Sequence, residues 1–341
     1  MDYWIRSKKA KALADANARE RLKNHKYSKD VLQAFDLVQT PQSETANISI
    51  ALVLMDIAWQ ISGNIPSENE LARVFFPIQN FFLGTVYQDN LLDSLRTESP
   101  RELVKTLGVP TCLIMGNILY CEALLSLLEV NGSRNNNKVL QLLNSLEKLV
   151  RTVGETEIYR RNHIGKILPL KEFFRVWRLL NPNTACIEIG GILGNSDRKK
   201  IQILTEIGSN ISIMYRINKE VSIMYGLRGS LQEQLRNKPP PLPVTLGYDS
   251  ASLSEKKELE KAIEHLSSMN NKGTGTGKMN KDIELVIDVV VEYDAISNAL
   301  RIHSEIIKET REKIAHLSNS EHQTVLNGLL EAEFYSQNVS E

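Results

Sequence analysis

Apolar residues recur at intervals of three and four positions along most of this chain, which is the spacing of one face of an α-helix. Few segments alternate apolar and polar residues as a half-buried strand would. The pattern predicts helices over residues 48–62, 70–95, 111–130, 138–153, 197–222, 254–268, 282–317 and 321–335. We therefore predict an all-α protein that forms a single large helical bundle.

Three local signals refine the predicted boundaries. Ser254 and Ser320 stand where helix N-caps are expected, because a serine oxygen can accept a hydrogen bond from the first helical turn. Residues 239–243 have the sequence Pro-Pro-Pro-Leu-Pro, which predicts a non-helical segment, since consecutive prolines hold the chain extended. Such a rigid strap could fix Lys238 over a pocket, or it could be a stiff connector between helices.

The first 29 residues are a predicted basic arm, followed by a helical domain over residues 30–341. Within the arm, residues 6–26 contain eight lysines and arginines against two acidic residues. A basic helix of this kind could lie on anionic lipid as a peripheral membrane contact. Its apolar face is thin, which favours a solvated terminal helix instead.

The balance of charge argues against nucleic acid as a partner. Lysine plus arginine and aspartate plus glutamate both count 41, so the formal net charge is zero. Binding to a nucleic-acid backbone requires a clustered excess of cations. The three cysteines form no C-x-x-C pair, which is typical of buried thiols in a reducing compartment. Since no apolar signal region precedes the predicted helices, we expect a cytoplasmic protein.

Asp89 and Asp93 are the clearest candidates for chemistry. Their i, i+4 spacing places both carboxylates on one face of a predicted helix, one turn apart. Because Mg²⁺ is usually held by one or two carboxylates together with substrate phosphates, this pair and the intervening Asn90 could bind a magnesium diphosphate. The same spacing is typical of a solvated helix face, and that interpretation stays open.

Five segments resemble, in order, the motifs of one enzyme family. Residues 88–93 are similar to a first aspartate-rich motif, D-D-x-x-D, and residues 108–119 to G-V-P-x-A-I-L-x-G-D-x-L. Residues 189–194 and 215–223 parallel the route into a second motif, F-Q-x-x-D-D-x-x-D, and residues 235–244 resemble a closing G-K-P-T-L-P-V segment. The chain thus resembles the trans-isoprenyl diphosphate synthases, which implies the helical isoprenoid synthase fold.

The chain departs from this family at the positions that would bind metal. In the first motif, Asn90 replaces an aspartate and removes one negative charge. In the second, Lys219, Glu220 and Ile223 stand at the three aspartate positions. A lysine there would repel a magnesium ion. The resemblance therefore implies a weakened magnesium site, held at most by the two remaining aspartates of the first motif.

The cations that bind diphosphate in the family are also altered. Its Arg-Arg pair after the first motif is missing, with only Arg96 and Arg101 nearby. Residues 45–50 carry none of the cations of the family's G-K-R-x-R-P segment. Arg178 stands where the family has Lys-Thr, and Lys238 lies in the closing segment. The resemblance leaves these two cations as candidates for diphosphate binding.

In the family, side chains one and two turns before the first motif form the floor that stops the growing product. By this resemblance, Phe81, Phe82 and Met115 are candidates for the wall of a product tunnel. Aromatic residues at helical spacing are also common in protein cores. Both interpretations stay open.

Some members of the family are heteromeric polyprenyl diphosphate synthases, in which a degenerate subunit pairs with a catalytic one. We expect this chain to be such a subunit, with prenyltransferase activity only in complex with a full-motif prenyl diphosphate synthase. An allylic diphosphate and Mg²⁺ could still bind its first motif. Two alternatives remain: a standalone magnesium-dependent terpene synthase or diphosphate lyase, and a non-catalytic prenyl-lipid-binding protein.

Overall fold

The computed structural model describes residues 3–39, 45–94, 101–129, 136–179, 182–227, 230–268, 276–317 and 319–335. Every regular element in these ranges is an α-helix, which confirms the all-α prediction. The helices are α1 (Tyr3–Asn24), α2 (Lys29–Gln39), α3 (Thr45–Gln60), α4 (Glu68–Ser94), α5 (Glu102–Leu107), α6 (Val109–Glu129), α7 (Asn136–Asn162), α8 (Leu170–Leu179), α9 (Pro182–Gly194), α10 (Arg198–Met224), α11 (Leu231–Asn237), α12 (Leu242–Ser250), α13 (Leu253–Ser268), α14 (Thr276–Glu292), α15 (Ala295–Ala315) and α16 (Ser320–Tyr335).

Contacts group the helices into two compact units, each made of two chain segments. The first unit contains Met1–Leu149 and Pro182–Gly208, and the second contains Val150–Asn181 and Ser209–Glu341. Two of the three breaks fall inside long helices, α7 and α10. The predicted boundary after residue 29 stays a prediction.

In the first unit, α4 packs on α6, α3 packs on α9, and α1 lies against α4 and α3. The buried face of α1 consists largely of alanine: Ala10, Ala14 and Ala18 are each at most 1% exposed. Alanine has a short side chain, so a face that looks thin in sequence still packs closely against neighbouring helices. The terminal helix is therefore a packed part of this unit, and the interpretation as a solvated helix is wrong for its buried face.

Two buried ion pairs also hold α1. The Nε atom of Arg6 lies 2.8 Å from Oδ2 of Asp56, and Nε of Arg21 lies 2.6 Å from Oε2 of Glu122. Both carboxylate side chains are fully buried. His25 provides a second contact to Glu122, at 2.8 Å through Nδ1. Because an unpaired buried carboxylate is strongly destabilising, these pairs determine where α1 docks.

Among the described residues of the second unit, two hydrophobic clusters join several helices. One cluster joins α8, α10, α12 and α15, with Trp177, Ile217 and Leu242 among its buried members. The other joins α11, α12, α13, α14 and the start of α15, with Leu235, Val286 and Ala295 fully buried. Since α12 contributes to both clusters, the segment that follows the prolines lies in the interior of this unit.

Two predicted N-caps are displaced by one or two residues. The cap of α13 is Ser252, whose N–H donates to Oε2 of Glu255 at 2.7 Å and whose Oγ accepts the N–H of Glu255 at 3.4 Å. These reciprocal bonds form a capping box. The cap of α16 is Asn319, whose Oδ1 accepts N–H groups from the first turn. Ser254 and Ser320 lie inside the helices.

The predicted helix over residues 282–317 is two helices in the structure. α14 ends at Glu292 and α15 begins at Ala295. Between them, Asp294 has a φ of 46°, in the left-handed region. Aspartate tolerates this region better than most residues, but without a glycine or proline the sequence carried no clear signal for the break.

The proline-rich segment is non-helical only up to residue 241. α12 begins at Leu242 and includes Pro243 in its first turn. Proline is well suited to that position, because the first helical N–H groups have no partner within the helix. The prediction of a non-helical segment is therefore wrong for its last two residues.

Helix α6 has the length and composition of a membrane-spanning helix, the one helix of the described residues that does. It contains 21 residues, and an 18-residue window of it has a mean hydropathy of 1.7. A core helix of a soluble protein can meet the same criteria, and 44% of that window is buried. The cytoplasmic location expected from the sequence stays a prediction.

Candidate functional site

The C-terminal half of α4 carries the predicted first motif. Helix α4 runs through Ser94, so Asp89 and Asp93 lie one turn apart on the same helix face. Asp89 is exposed, whereas the side chain of Asp93 is only 16% exposed. Asn90 turns back to its own helix, with Nδ2 donating to the carbonyl oxygen of Val86 at 2.9 Å.

An arginine accompanies the second carboxylate. Nη2 of Arg101 lies 3.4 Å from Oδ2 of Asp93. The Arg101 backbone is itself tied to the end of α4, because its N–H donates to Oγ of Ser94 at 2.8 Å. A guanidinium at this distance lowers the net negative charge available to a metal ion. Arg96, the other arginine near this motif, lies outside the described residues.

Helix α6 adds polar groups that the sequence analysis missed. The Tyr120 hydroxyl donates to Oε1 of Gln88 at 3.1 Å and lies 3.3 Å from Oγ1 of Thr85. Burial raises the pKa of Tyr120, a hydrogen bond with Thr85 opposes this rise, and the negative charge of Asp89 adds to it. Thr85, Gln88 and Tyr120 thus form a row of polar side chains along the α4–α6 contact, next to Asp89.

Two glycines explain how α6 comes so close to the motif. A Cβ atom at Gly84 would lie 3.0 Å from the Tyr120 ring and 3.1 Å from the carbonyl oxygen of Gly116. A Cβ atom at Gly116 would lie 3.3 Å from the carbonyl oxygen of Gly84 and 3.3 Å from Cγ of Gln88. A glycine inside an apolar helical run is a sequence signal of close helix packing, but the sequence does not show that Gly84 and Gly116 face each other.

The three candidate tunnel residues lie in the same helix pair. Phe81 and Met115 are 3% and 1% exposed, and Phe82 is partly buried. Phe81 contacts the rings of Phe82 and Tyr120, with centroid separations of 5.6 and 5.3 Å. None of the three lines the cavity beside Arg21 and Phe76 or the cavity between α15 and α16. Their packing is that of core residues, and their role in a tunnel stays a prediction.

The second motif lies on α10 in the second unit and has a structural use. Glu220 is 8% exposed, and its Oε2 accepts the N–H of Leu242 at 2.6 Å, at the start of α12. Burial raises the pKa of Glu220 to about 7, against the opposing effects of that hydrogen bond and of Arg216, Arg160 and Lys219.

The other two residues of this motif do not favour a metal either. Ile223 is 5% exposed and belongs to the core, whereas Lys219 is partly exposed. Nowhere in the described ranges do three or more histidine, cysteine, aspartate or glutamate side chains come together as a metal site. Asp89 and Asp93 on α4 could still hold one magnesium ion, but the residues of α10 do not fit one.

The remaining candidates occupy different places. Arg178 is exposed near the end of α8, and Lys238 is partly buried at the C-cap of α11. The prolines at 239–241 after Lys238 are buried and connect α11 to α12. Residues 45–50 form the start of α3, and the side chains of 45–49 lie outside the described part. Asp89, Asn90 and Asp93 thus share one helix of the first unit, whereas Arg178 and Lys238 belong to the second.

Comparison with known proteins finds similarity in structure and not in sequence. No protein-family model and no curated protein matches the chain. A decaprenyl diphosphate synthase from Rhodobacter capsulatus is similar with a TM-score of 0.76 over 97% of both chains, at 15% identity. A heptaprenyl diphosphate synthase from Staphylococcus aureus gives a TM-score of 0.72 over 94% of this chain and 96% of that one, at 18% identity.

A third similar structure was solved with ligands. It is a polyprenyl synthase from Caulobacter crescentus CB15 complexed with calcium and isoprenyl diphosphate. Its TM-score is 0.72 at 15% identity, over 96% of this chain and 97% of that one. Identities this low support a statement about architecture. The helices and these superpositions together establish that the chain has the all-helical isoprenoid synthase fold.

Proposed function

We propose that this chain is a subunit of a heteromeric trans-polyprenyl diphosphate synthase that supports chain elongation by a full-motif partner. The fold is that of solved prenyl diphosphate synthases, one of which was solved with calcium and isoprenyl diphosphate. The substrate class of the complex would accordingly be allylic and isopentenyl diphosphates. In this proposal the partner carries out the condensation. This chain supplies a docking surface for the partner and part of the wall of the product tunnel.

The observation that carries the proposal is an exposed apolar face on α6. We call the α6 apolar face the set Leu113, Ile114, Cys121, Leu124, Leu125 and Leu128. Its leucines and isoleucine are 46–55% exposed, although the opposite face of α6 is buried. These residues lie on one side of the helix at intervals of three, four and seven positions, and the exposed Asn117 lies between Ile114 and Cys121. An exposed apolar surface of this kind marks an interaction site.

The charges around the two motifs support the proposal that the partner carries out the chemistry. On α4, Asp93 is accompanied by Arg101 at 3.4 Å. On α10, the carboxylate of Glu220 accepts a backbone N–H and Lys219 brings a positive charge. Magnesium, where bound, would be held by Asp89 and Asp93 and would offset the charge of a diphosphate. In this proposal the partner therefore supplies the further carboxylates that bind metal during ionisation of the substrate.

The test is a reconstitution assay. The purified chain is incubated with Mg²⁺ and with allylic plus isopentenyl diphosphate, first alone and then mixed with each full-motif prenyl synthase from the same organism. We expect elongation, or a change in product length, only in a mixture. In that mixture Asp89→Ala should leave activity almost unchanged, because the partner carries the catalytic carboxylates.

The alternatives give different results in the same assay. Turnover of an allylic diphosphate by the chain alone, lost in Asp89→Ala, would identify a standalone terpene synthase or lyase. A lipid-binding protein would show no effect on elongation in any mixture, together with binding of prenyl lipid or of lipid vesicles through the α6 apolar face. Either result overturns the subunit proposal.

A further inference from the structure

We propose that the outward side of α1 binds the surface of an anionic membrane. We define the α1 outer face by its exposed residues, which are Ile5, Lys8, Lys9, Ala12, Ala16, Arg19 and Lys23. The partner is a bilayer that contains phospholipids with a net negative charge. The inference goes beyond the proposed function and does not depend on it, since it concerns where the protein lies and not the reaction that it supports.

The α1 outer face follows one line along the helix. Its members from Ile5 to Lys23, apart from Lys8, recur at intervals of four, three, four, three and four positions. Such intervals keep residues on one side of an α-helix, and Lys8 lies beside this line. At about 1.5 Å per residue, the line is about 27 Å long. Four cations are thus distributed along one side of α1.

The acidic residues of α1 lie away from this line. Within Tyr3–Asn24 they are Asp15 and Glu20. Asp15 pairs with Lys11 at 2.9 Å and accepts a hydrogen bond from Gln79 of α4. Glu20 is exposed to one side of the line. The α1 outer face itself therefore carries only positive charge.

Packing fixes which side of α1 is directed outward. The alanine face of the helix is buried against its neighbours, on the side opposite to the α1 outer face. The ion pairs of Arg6 with Asp56 and of Arg21 with Glu122 hold the helix near both of its ends. A helix held in this way cannot rotate about its axis, so its outer cations are directed to one side before any ligand arrives. Such preorganisation reduces the entropy lost on binding.

Carboxylates of neighbouring helices compensate only part of this charge. Nζ of Lys9 lies 3.4 Å from Oε1 of Glu68, and Nη2 of Arg19 lies 2.7 Å from Oδ2 of Asp36. Each of these four side chains is at least 40% exposed. Because exposed ion pairs contribute little to stability, lipid phosphates can replace these carboxylates at low cost.

The arrangement of the cations fits a lipid surface better than a small anion. Lys8 and Lys23 are exposed, and within the described residues neither side chain takes part in a hydrogen bond or ion pair. Their long stems let the ammonium groups reach headgroup phosphates, and the short side chains of Ala12 and Ala16 let the helix approach the surface.

A membrane also matches the length of the row. Cations spread over about 27 Å can all contact a lipid surface at once, because its charged headgroups are numerous, whereas a small anion would contact one or two of them. The whole chain has no net charge, which disfavours nucleic acid as the partner. An anionic membrane is therefore the partner that these charges fit.

The experiment is sedimentation of the full-length chain with sucrose-loaded vesicles at low ionic strength. One preparation contains phosphatidylcholine alone, and the other contains phosphatidylcholine and phosphatidylserine in equal parts. We expect binding to the second preparation only, and its loss in high salt, because salt screens exposed charges. Since each cation near such a surface strengthens binding about fivefold, the double variant Lys8→Gln with Lys23→Gln should bind about 25-fold more weakly.

Two further variants serve as controls. Lys257→Gln with Lys261→Gln removes two exposed lysines from α13 and should bind like the wild-type chain. Leu124→Glu, on the α6 apolar face, should also keep wild-type binding. Circular dichroism melting of each variant confirms that it is folded.

Three results with vesicles would overturn the inference: no binding to phosphatidylserine, equal binding to phosphatidylcholine alone, or equal affinity in the two folded double variants. Loss of vesicle binding in folded Leu124→Glu would overturn it as well, because the contact would then belong to α6. Binding to DNA or to polyglutamate, but not to vesicles, would assign the α1 outer face to another class of partner. Since the reconstitution assay needs no membrane, a negative result here leaves the proposed function untouched.

Discussion

The N–H of Leu242 donates a hydrogen bond of 2.6 Å to Oε2 of Glu220. The donor stands at the start of α12, directly after three prolines that have no N–H to offer, and the acceptor is a buried side chain of α10. A free N–H at a buried helix start would be costly, so this bond links the proline segment to the core of the second unit. A carboxylate in a motif position thus has a structural role.

The first prediction concerns this carboxylate and pH. Its pKa rises from 4.5 to about 7 on folding, mainly through burial. A raised carboxyl pKa means that the native state binds the extra proton, so the contribution of Glu220 to stability is greatest below pH 4.5 and is lost as pH rises towards 7. The shift corresponds to about 3 kcal/mol. Glu220→Gln, which keeps an acceptor for Leu242, should remove this pH dependence.

Urea unfolding of wild type and Glu220→Gln at pH 5 and pH 8 measures the effect. The free energy of unfolding of wild type should fall between pH 5 and pH 8 relative to that of Glu220→Gln. Glu220→Ala is the control, because it loses the acceptor and should be less stable at both pH values. An equal pH dependence in wild type and Glu220→Gln would contradict the prediction.

The second prediction concerns the docking of α1. Glu122 accepts Nε of Arg21 at 2.6 Å and the Tyr27 hydroxyl at 3.2 Å. Burial alone would raise the pKa of Glu122, but its hydrogen bonds with Arg21 and His25 lower it overall. Its contribution to stability is therefore present above the ordinary carboxyl pKa and is lost as pH falls below it. Glu122→Ala should destabilise the protein by about 1–3 kcal/mol, because Nε of Arg21 and the Tyr27 hydroxyl lose their buried acceptor while Glu129 still accepts a hydrogen bond from Nη2 of Arg21 at 3.1 Å.

Thermal melting of single and double variants separates the ion pair from packing. The double variant Arg21→Met with Glu122→Leu should recover much of the loss, since two apolar side chains need no charge compensation. Arg19→Met is a suitable control, because Arg19 and its partner Asp36 are 54% and 42% exposed. Its effect should stay below about 1 kcal/mol.

The third prediction concerns metal binding on α4. Arg101→Gln should tighten binding of Mn²⁺, used as a probe for Mg²⁺, because the guanidinium 3.4 Å from Asp93 is removed. Asp93→Asn should weaken it. Electron paramagnetic resonance of free Mn²⁺ gives the dissociation constants, and Arg19→Met again serves as a control for a lost arginine. Unchanged affinity in Arg101→Gln would show that Arg101 does not compete with the metal.

The fourth prediction concerns the α6 apolar face. Leu124→Glu places a charge in the middle of that face, where the wild-type side chain is 46% exposed. Folding should be little affected, but association with the partner synthase should weaken because the charge would be desolvated in the interface. The matched control is Leu253→Glu at the start of α13, where the leucine is 80% exposed. Light scattering of each variant mixed with the partner synthase should show a complex for Leu253→Glu and no complex for Leu124→Glu.

The fifth prediction concerns the glycines of the 189–194 segment. A Cβ at Gly190 would overlap the carbonyl oxygen of Met55 on α3, and neither backbone can move easily. Gly190→Ala should therefore destabilise the protein by at least about 1–3 kcal/mol. Gly154→Ala is the matched control on α7, where an added Cβ meets nothing within 4 Å. That change should stabilise by about 0.5–1 kcal/mol in urea unfolding.

Much of the fold could be predicted because helical periodicity is a local property. Six of the predicted segments each coincide with one helix to within a few residues. These helices are α3, α4, α6, α10, α13 and α16. The predicted segments did not include α2, α5, α8, α9, α11 and α12, and α7 continues to Asn162, nine residues beyond its predicted end. Two further errors lie where a boundary depends on one side chain: Ser252 and Asn319 cap helices assigned to Ser254 and Ser320. The left-handed backbone of Asp294 divided a segment whose apolar spacing continued unbroken.

The candidate site was less predictable than the fold, because most of its contacts join residues far apart in the sequence. The spacing of Asp89 and Asp93 on one helix face follows from their positions alone. The guanidinium beside Asp93, the Tyr120 hydroxyl near Asp89 and the N–H bound to Glu220 all come from other segments of the chain. No periodicity within one segment reports such contacts.

The amino-acid sequence by itself determined that this protein is helical and where two aspartates share a helix face, because both follow from intervals of three and four residues along one chain. Only the tertiary structure decided that the thin face of α1 is buried, that Glu220 caps α12 and that the apolar face of α6 is left exposed. These properties depend on which helices meet, and packing between residues far apart in sequence sets both burial and charge environment.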